Sequence, residues 1–302
     1  MLKCDHILKF LPMQNFKAFP VFLFVFFTIS ILFTSCQKDE VQSEVKEEIA
    51  IDDMKLLDDP VSDEIVKKLN ATAFNPNGVR HVEIERPDGT TEKALLIEED
   101  ITMSVDQLDD MFSYGGVDFT DKHYRTNALV NSPRTIRVEG YTGGSFALTS
   151  KMRTGLQWAI NNYNRLNLEL NFVLTFGTNT SRDIVVYKVN NSGGGGSAGF
   201  PSGGRPYKWV RINSGTNNFS TNVNEHVIGH EIGHCIGFRH TDYFSRQSCG
   251  QNSNEGSAGV GAVYIPGTPS GYDPTSLMLA CFSTSTDGEF NGNDITALRF
   301  LY

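Results

Sequence analysis

The chain has 302 residues, a formal net charge of −9 and five cysteines, a length that holds one domain of good size plus accessories. Nucleic acid is excluded as a partner, because no basic patch or interleaved aromatic stripe is present. The charge is divided along the chain: residues 37–122 carry 23 acidic against nine basic side chains, a net of −14, whereas residues 123–302 carry 11 against 14, a net of +3.

An apolar run from Phe19 to Phe33 follows Lys17 and ends in Thr34-Ser35-Cys36. At about 15 residues it is short for a membrane-crossing helix, and small residues before a cysteine mark processing. The pattern is similar to a bacterial lipoprotein signal, which makes residues 1–35 a signal peptide, with Met13 as an alternative start, and Cys36 the lipidated residue. An uncleaved anchor helix is the other reading of the same run. Gln37-Lys38-Asp39-Glu40 resembles the export tag of surface-exposed lipoproteins, so the expected location is the outer membrane, displayed at the cell surface. Residues 36–59, acidic and poor in aromatics, read as a flexible tether.

Residues 60–122 read as a small α+β leader. Ser62 followed by Asp63 and Glu64 starts a helix to about Ala71, ended by Asn75-Pro76-Asn77-Gly78. Val82–Glu85 and Ala94–Glu98 flank Pro87-Asp88-Gly89 as a β-hairpin. Ser104 and Gln107 form a capping box for a short helix to about Phe112.

From residue 123 the chain alternates again. Arg134–Val138 alternates as a half-buried strand does, and Leu148, Met152, Leu156, Ala159, Ile160 and Tyr163 recur at helical spacing from about Thr149 to Arg165. Leu168–Phe176 and Asp183–Val189 are strand-like. Ser192–Gly204 is more than half glycine, yet it leads into the strand Tyr207–Ile212 and not into a helix, so a loop beside the cleft is the reading, and not a phosphate cradle. Asn222 or Thr221 caps the next helix, which runs to about Ile236.

That helix carries His230-Glu231-Ile232-Gly233-His234-Cys235-Ile236-Gly237-Phe238-Arg239-His240. Residues four apart share one helix face, so His230 and His234 reach one metal ion, while Glu231, rotated by about 100°, is placed to touch a water there. Gly237 allows the left-handed turn that returns His240 as the third ligand. His226 lies one turn earlier and cannot close on the same ion together with His234, which leaves it a structural or supporting part. After Cys36 three cysteines remain; Cys235 faces the core, and an exported protein meets oxidising conditions, so Cys249 and Cys281 are expected to bridge, three free thiols being the alternative.

The string resembles the zinc signature of the metzincin metallopeptidases, and its HEIGH form is similar to the dual-action HEIGH metallopeptidase family. The resemblance implies an α+β catalytic domain over residues 123–302, a twisted mixed sheet with two long helices and a smaller loop-rich lower part, preceded by the leader. It implies one catalytic Zn²⁺ on His230, His234 and His240, Glu231 as general base, and Met278 in a Met-turn after Asp273-Pro274-Thr275. The strand Tyr207–Ile212 would be the edge that takes an extended peptide, with Trp209 and Arg211 as substrate contacts. Calcium is a further possibility near the glycine-rich stretch, where Asp183 is the nearby carboxylate. The leader becomes a candidate pro-segment, a plain spacer module being the other reading, and with no cysteine after Cys36 only a carboxylate or His in it could cover the metal. Ala280 stands where some metzincins carry an oxyanion-stabilising tyrosine, leaving Tyr243, Tyr272 or zinc alone for that charge. Asp242 either orients His240 or coordinates nothing. Asn293–Tyr302 is a capped helix like the one that closes such domains.

The expected function is a zinc-dependent endopeptidase acting on protein or peptide substrates. The alternative is a surface binding or adhesion module with a structural zinc, closed by a fourth protein ligand such as His226 or Asp242.

Overall fold

Side-chain caps mark where the α-helices begin. The computed structural model describes residues 54–72, 74–113, 124–251, 263–269 and 271–302. The signal segment, Cys36 and most of the tether lie outside the described residues. Among the described residues no helix is long and apolar enough to cross a membrane.

In the leader, helix α1 (Asp63–Ala71) starts at Ser62, whose hydroxyl accepts from the Ile65 N–H. Strands β1 (Met54–Leu56), β2 (Arg80–Glu85), β3 (Thr91–Ile97) and β4 (Ile101–Met103) form an antiparallel sheet in that order. Pro87-Asp88-Gly89 turns β2 into β3 as expected, with Gly89 at φ 80°. Helix α2 (Val105–Ser113) begins after Ser104, whose hydroxyl accepts from the Gln107 N–H. Only half of the predicted capping box forms: the Gln107 amide instead donates to the Phe200 carbonyl in the body. Alternation splits β3 between two cores, Leu95 and Ile97 facing α1 and α2, Ala94 and Leu96 facing Met54, Val82 and Ile84.

The body is a five-stranded sheet in the order β7 (Leu170–Gly177), β6 (Arg134–Tyr141), β8 (Ile184–Val189), β10 (Trp209–Asn213), β9 (Gly196–Ser197). The first four run parallel, and β9 is antiparallel to β10. Two helices of 15 residues each, α3 (Ser150–Asn164) and α4 (Thr221–Cys235), pack with one sheet face into the main core. Their contact is close: a Cβ at Gly155 would lie 2.8 Å from the Glu225 backbone nitrogen. Thr149 caps α3 by accepting from the Met152 N–H.

A short pairing of β5 (Tyr124–Arg125) with β11 (Val263–Tyr264) and helix α5 (Gly292–Leu301) complete the elements, and between Phe238 and Asn291 the described chain is mostly loop. The mixed sheet with two long helices and a loop-rich lower part is therefore the α+β architecture expected. One correction concerns the sheet edge. Trp209–Asn213 is bonded on both sides, by β8 and by β9, so the edge is the glycine-rich Gly196–Ser197.

Candidate metal centre

Helix α4 is capped by Ser220, one or two residues before the expected Thr221 or Asn222; its hydroxyl accepts from the Val223 N–H. Every residue from Val223 to Cys235 is buried. The helix ends in a Schellman turn: the Gly237 N–H donates to the His234 carbonyl and the Phe238 N–H to the Gly233 carbonyl. Gly237 sits at φ 113°, closed to side chains. The chain thus reverses within three residues and brings His240 against His230 and His234.

Each of the three imidazoles has its Nδ1 on an acceptor. His230 Nδ1 lies 2.9 Å from the Leu277 carbonyl, His234 Nδ1 2.8 Å from the Phe238 carbonyl, and His240 Nδ1 2.9 Å from Glu98 Oε2. With Nδ1–H donated, the Nε2 atoms of His230 and His234 keep their lone pairs for a metal, whereas Nε2 of His240 faces Asp100 Oδ2 and would give up its proton to bind one. One ligand atom from each of His230, His234, His240 and Asp100 lies within 4.8 Å of the other three. Asp100 Oδ2 is 2.9 Å from His240 Nε2 and 3.7 Å from His230 Nε2. His234 Nε2 is buried without a hydrogen-bond partner. Three nitrogens and one carboxylate oxygen are the donor set and number that a tetrahedral zinc takes.

The electrostatics follow from burial plus neighbours. Burial alone would lower His240, but the carboxylates of Asp100 and Glu98 outweigh it and push its pKa up to about 10. Burial would raise Asp100; the charge on His240 and its hydrogen bond hold the carboxyl far below the carboxylate range. His234 is lowered by burial and then by the neighbouring His230 and His240. Glu231 is 2% exposed, with Oε2 unpartnered, and is raised by burial and then by the Asp100 charge. His226 bonds Thr286 Oγ1 through Nδ1 at 3.0 Å and stands outside the cluster of four.

The sequence family described as dual-action HEIGH metallo-peptidase matches residues 95–302, a span that opens upstream of both Glu98 and Asp100. This chain belongs to that family. No curated protein sequence matches it. Two solved structures of myroilysin are similar to it at 14% identity, covering 58% and 56% of this chain and 82% and 83% of theirs, with TM-scores of 0.38 and 0.36, a likeness too distant to assign a role to any residue.

Behind the metal centre of this HEIGH metallopeptidase lies the loop Ser276-Leu277-Met278. Met278 is 4% exposed and packs under α4, its sulfur 2.5 Å from where a Cβ at Gly233 would stand. The loop is pinned by α5: Asp294 accepts from Ser276 Oγ at 2.7 Å, the Leu277 N–H at 2.9 Å and the Asn291 N–H at 3.1 Å, completing a capping box with Asn291. The expected start of this helix at Asn293 is one residue late: it begins at Gly292, with Asn291 as its cap. Leu277 in turn presents its carbonyl to His230.

Cys249 and Cys281 are bridged, and Cys235 is a buried free thiol. Asp242 orients neither His240 nor a metal. Its oxygens accept from the Ala280 and Ser248 N–H groups, joining the loop after His240 to the segment after Met278. The sequence missed Glu98 and Asp100, since their partners lie 140 and more residues away and an acidic hairpin turn reads as solvated.

The remaining predicted residues fall as follows. Trp209 is buried against Tyr187 on the sheet face away from the main core, with Arg86 of the leader stacked over its ring at 5.0 Å. It does not join the His cluster. Arg211 is buried, donates to Ser197 Oγ at 3.2 Å, and its charge reaches Glu231. Asp183, on which calcium was conditional, accepts from the Arg137 backbone and guanidinium at 2.9 Å each. Tyr243 packs against Phe244 and Arg239. Tyr272 lines a cavity of about 640 Å³ together with His226 and Phe282. A second cavity, of about 340 Å³, is lined by Asp100, Gly194–Gly196, His230, Glu231 and Ala280.

Proposed function

We propose that this metallopeptidase is a zinc-dependent endopeptidase and that the conformation described is its latent form. The observation that carries the reading is the shared state of the three imidazoles, each with Nδ1 on an acceptor and Nε2 turned toward the others. His230, His234 and His240 would hold the zinc, which would supply Lewis acidity to a water, whose pKa it would lower toward ~7, and to the scissile carbonyl. Glu231, one residue along from His230, takes the proton of the attacking water and returns it to the leaving amine. An extended peptide would lie along β9, where backbone pairing gives affinity and the two cavities select side chains.

Latency is supported by what occupies those places. Asp100 stands in the fourth position, and the leader pairs with the edge strand's continuation: the Ala198 N–H donates to the Asp100 carbonyl at 2.9 Å, and the Thr102 N–H to the Ala198 carbonyl at 2.7 Å. The leader approaches so closely that a Cβ at Gly199 would lie 2.6 Å from the Thr102 carbonyl oxygen.

The fourth ligand is also what a structural site would have, which favours the binding-module reading. One experiment separates them. Zinc-loaded Asp100→Ala chain should cleave an unstructured protein, and Asp100→Ala with Glu231→Ala should keep the metal and lose cleavage. An Asp100→Ala chain that is inert and whose bound metal carries no exchangeable water would make the site structural.

For the rest of the chain the support is the sequence pattern. Residues 1–35 read as a lipoprotein signal, Cys36 as the lipid attachment that holds the chain on the outer membrane, 36–59 as the tether, 60–122 as the pro-segment and 123–302 as the catalytic domain.

A further inference from the structure

We propose that Glu98, a residue of the leader, is a positioning residue of the metal centre: its carboxylate fixes the ring and tautomer of His240, so the leader is part of the site as well as its cover. The inference rests on the zinc reading above.

His230 and His234 take their Nδ1 acceptors from the body, the Leu277 and Phe238 carbonyls. His240 takes its acceptor from a residue 142 positions away. Asp242, two residues along the chain from His240, is turned to the Ala280 and Ser248 N–H groups. The body by itself thus orients two of the three imidazoles, and the leader orients the third.

Glu98 is built to hold one position. A buried carboxylate is costly unless paired and hydrogen-bonded. Here the side chain is 1% exposed, with the guanidinium of Arg239, itself 0% exposed, at 3.5 Å and that of Arg246 at 3.9 Å. The Asn75 N–H donates to Oε1 at 3.0 Å, leaving Oε2 for His240. The backbone is held in an unusual shape to aim it. Glu98 and Glu99 sit at φ 54° and 73°, left-handed values uncommon for residues with a Cβ, and the pairing of Ile97 with Ile101 across the turn sustains them. A charged acceptor also makes the imidazole a stronger donor to a metal than a carbonyl does.

Detaching the leader would strip His240, Arg239 and Arg246 of their buried counter-charge, so the arrangement of the three imidazoles depends on the leader staying in place.

The test uses the full chain loaded with Co²⁺, whose paramagnetism shifts the exchangeable ring N–H resonances of bound imidazoles. Wild type should give three protected ring N–H signals. Glu98→Gln should move or remove the His240 signal alone and weaken Co²⁺ and Zn²⁺ binding about 10–100-fold. Leu108→Ala, which loosens the leader's core without touching His240, should lower the melting temperature and leave the signals and metal affinity unchanged. Only two protected signals in wild type would overturn the inference without needing any variant to fold. So would unchanged affinity in Glu98→Gln, or an equal loss in Leu108→Ala. A wild-type chain that binds no cobalt overturns the zinc reading and the inference with it.

Discussion

Replacing Asp294 by Ala tests whether the closing helix reaches the metal. Its carboxylate accepts from Ser276 Oγ, the Leu277 N–H and the Asn291 N–H, all at or below 3.1 Å, and it is 5% exposed. A hydrogen bond to a charged group contributes about 1.5–3 kcal/mol, and the bonds are not additive. Burial works against them by raising this carboxyl above its ordinary range. A net loss of about 3 kcal/mol is expected, because two backbone N–H groups and a hydroxyl lose their acceptor. In a chain of this size that is about 6–12 °C in melting temperature of the metal-free protein. The second effect is specific: Leu277, released at its nitrogen, no longer holds its carbonyl on His230, and zinc affinity should fall about 10-fold in a chelator-competition titration. A lower melting temperature with unchanged zinc affinity would refute the link from α5 through Leu277 to His230.

Glu225, on α4 beside Asp287 and Glu289, has its pKa pushed up to about 7 by burial and then by the Glu289 charge. Its folded pKa lies above the unfolded one, so the stability carried by its neutral form is complete below about pH 4.3 and is lost as pH rises through about 7. Glu225→Gln should therefore stabilise the chain at pH 8 by about 1 kcal/mol, after allowing for solvent screening in an open hollow, with the difference shrinking toward pH 5 in paired thermal melts. Gly155→Ala should lower the denaturant midpoint by an equivalent of about 1–3 kcal/mol despite the better helix propensity of Ala, because its Cβ meets the backbone of Asn224 and Glu225 at 2.8–2.9 Å.

What the sequence reveals is what lies within a few turns of itself. The spacing of His230, His234 and Gly237 is local, and so is the cap at Ser62; all appear where the pattern puts them. Ser220, Thr221 and Asn222 are equally able to cap, which is why the start of α4 was misplaced. The edge strand was hidden because Gly196–Ser197 has no strand propensity of its own; pairing of Ser197 with Arg211 makes it one. The carboxylate or His expected from the leader could not be given a number, since the placement of Glu98 and Asp100 depends on contacts formed only when the whole unit closes.

Those contacts say what the divided charge of the chain does. The leader is strongly acidic, yet charge attraction between surfaces is screened and weak. The grip is made instead by burial. Phe200, just beyond β9, sits in the leader's core with Phe74 and packs its ring nearly perpendicular to that of His234, with centroids 5.5 Å apart. Arg239, next to the third imidazole, donates to the Thr72 carbonyl at 2.8 Å and lies 3.8 Å over the Phe74 ring. The leader is thus fastened at the two stretches that flank the metal centre, the segment after β9 and the segment before His240. A leader shifted far enough to free the peptide edge must also disturb His234 and His240, so access of substrate and geometry of the ligands are set by the same contacts.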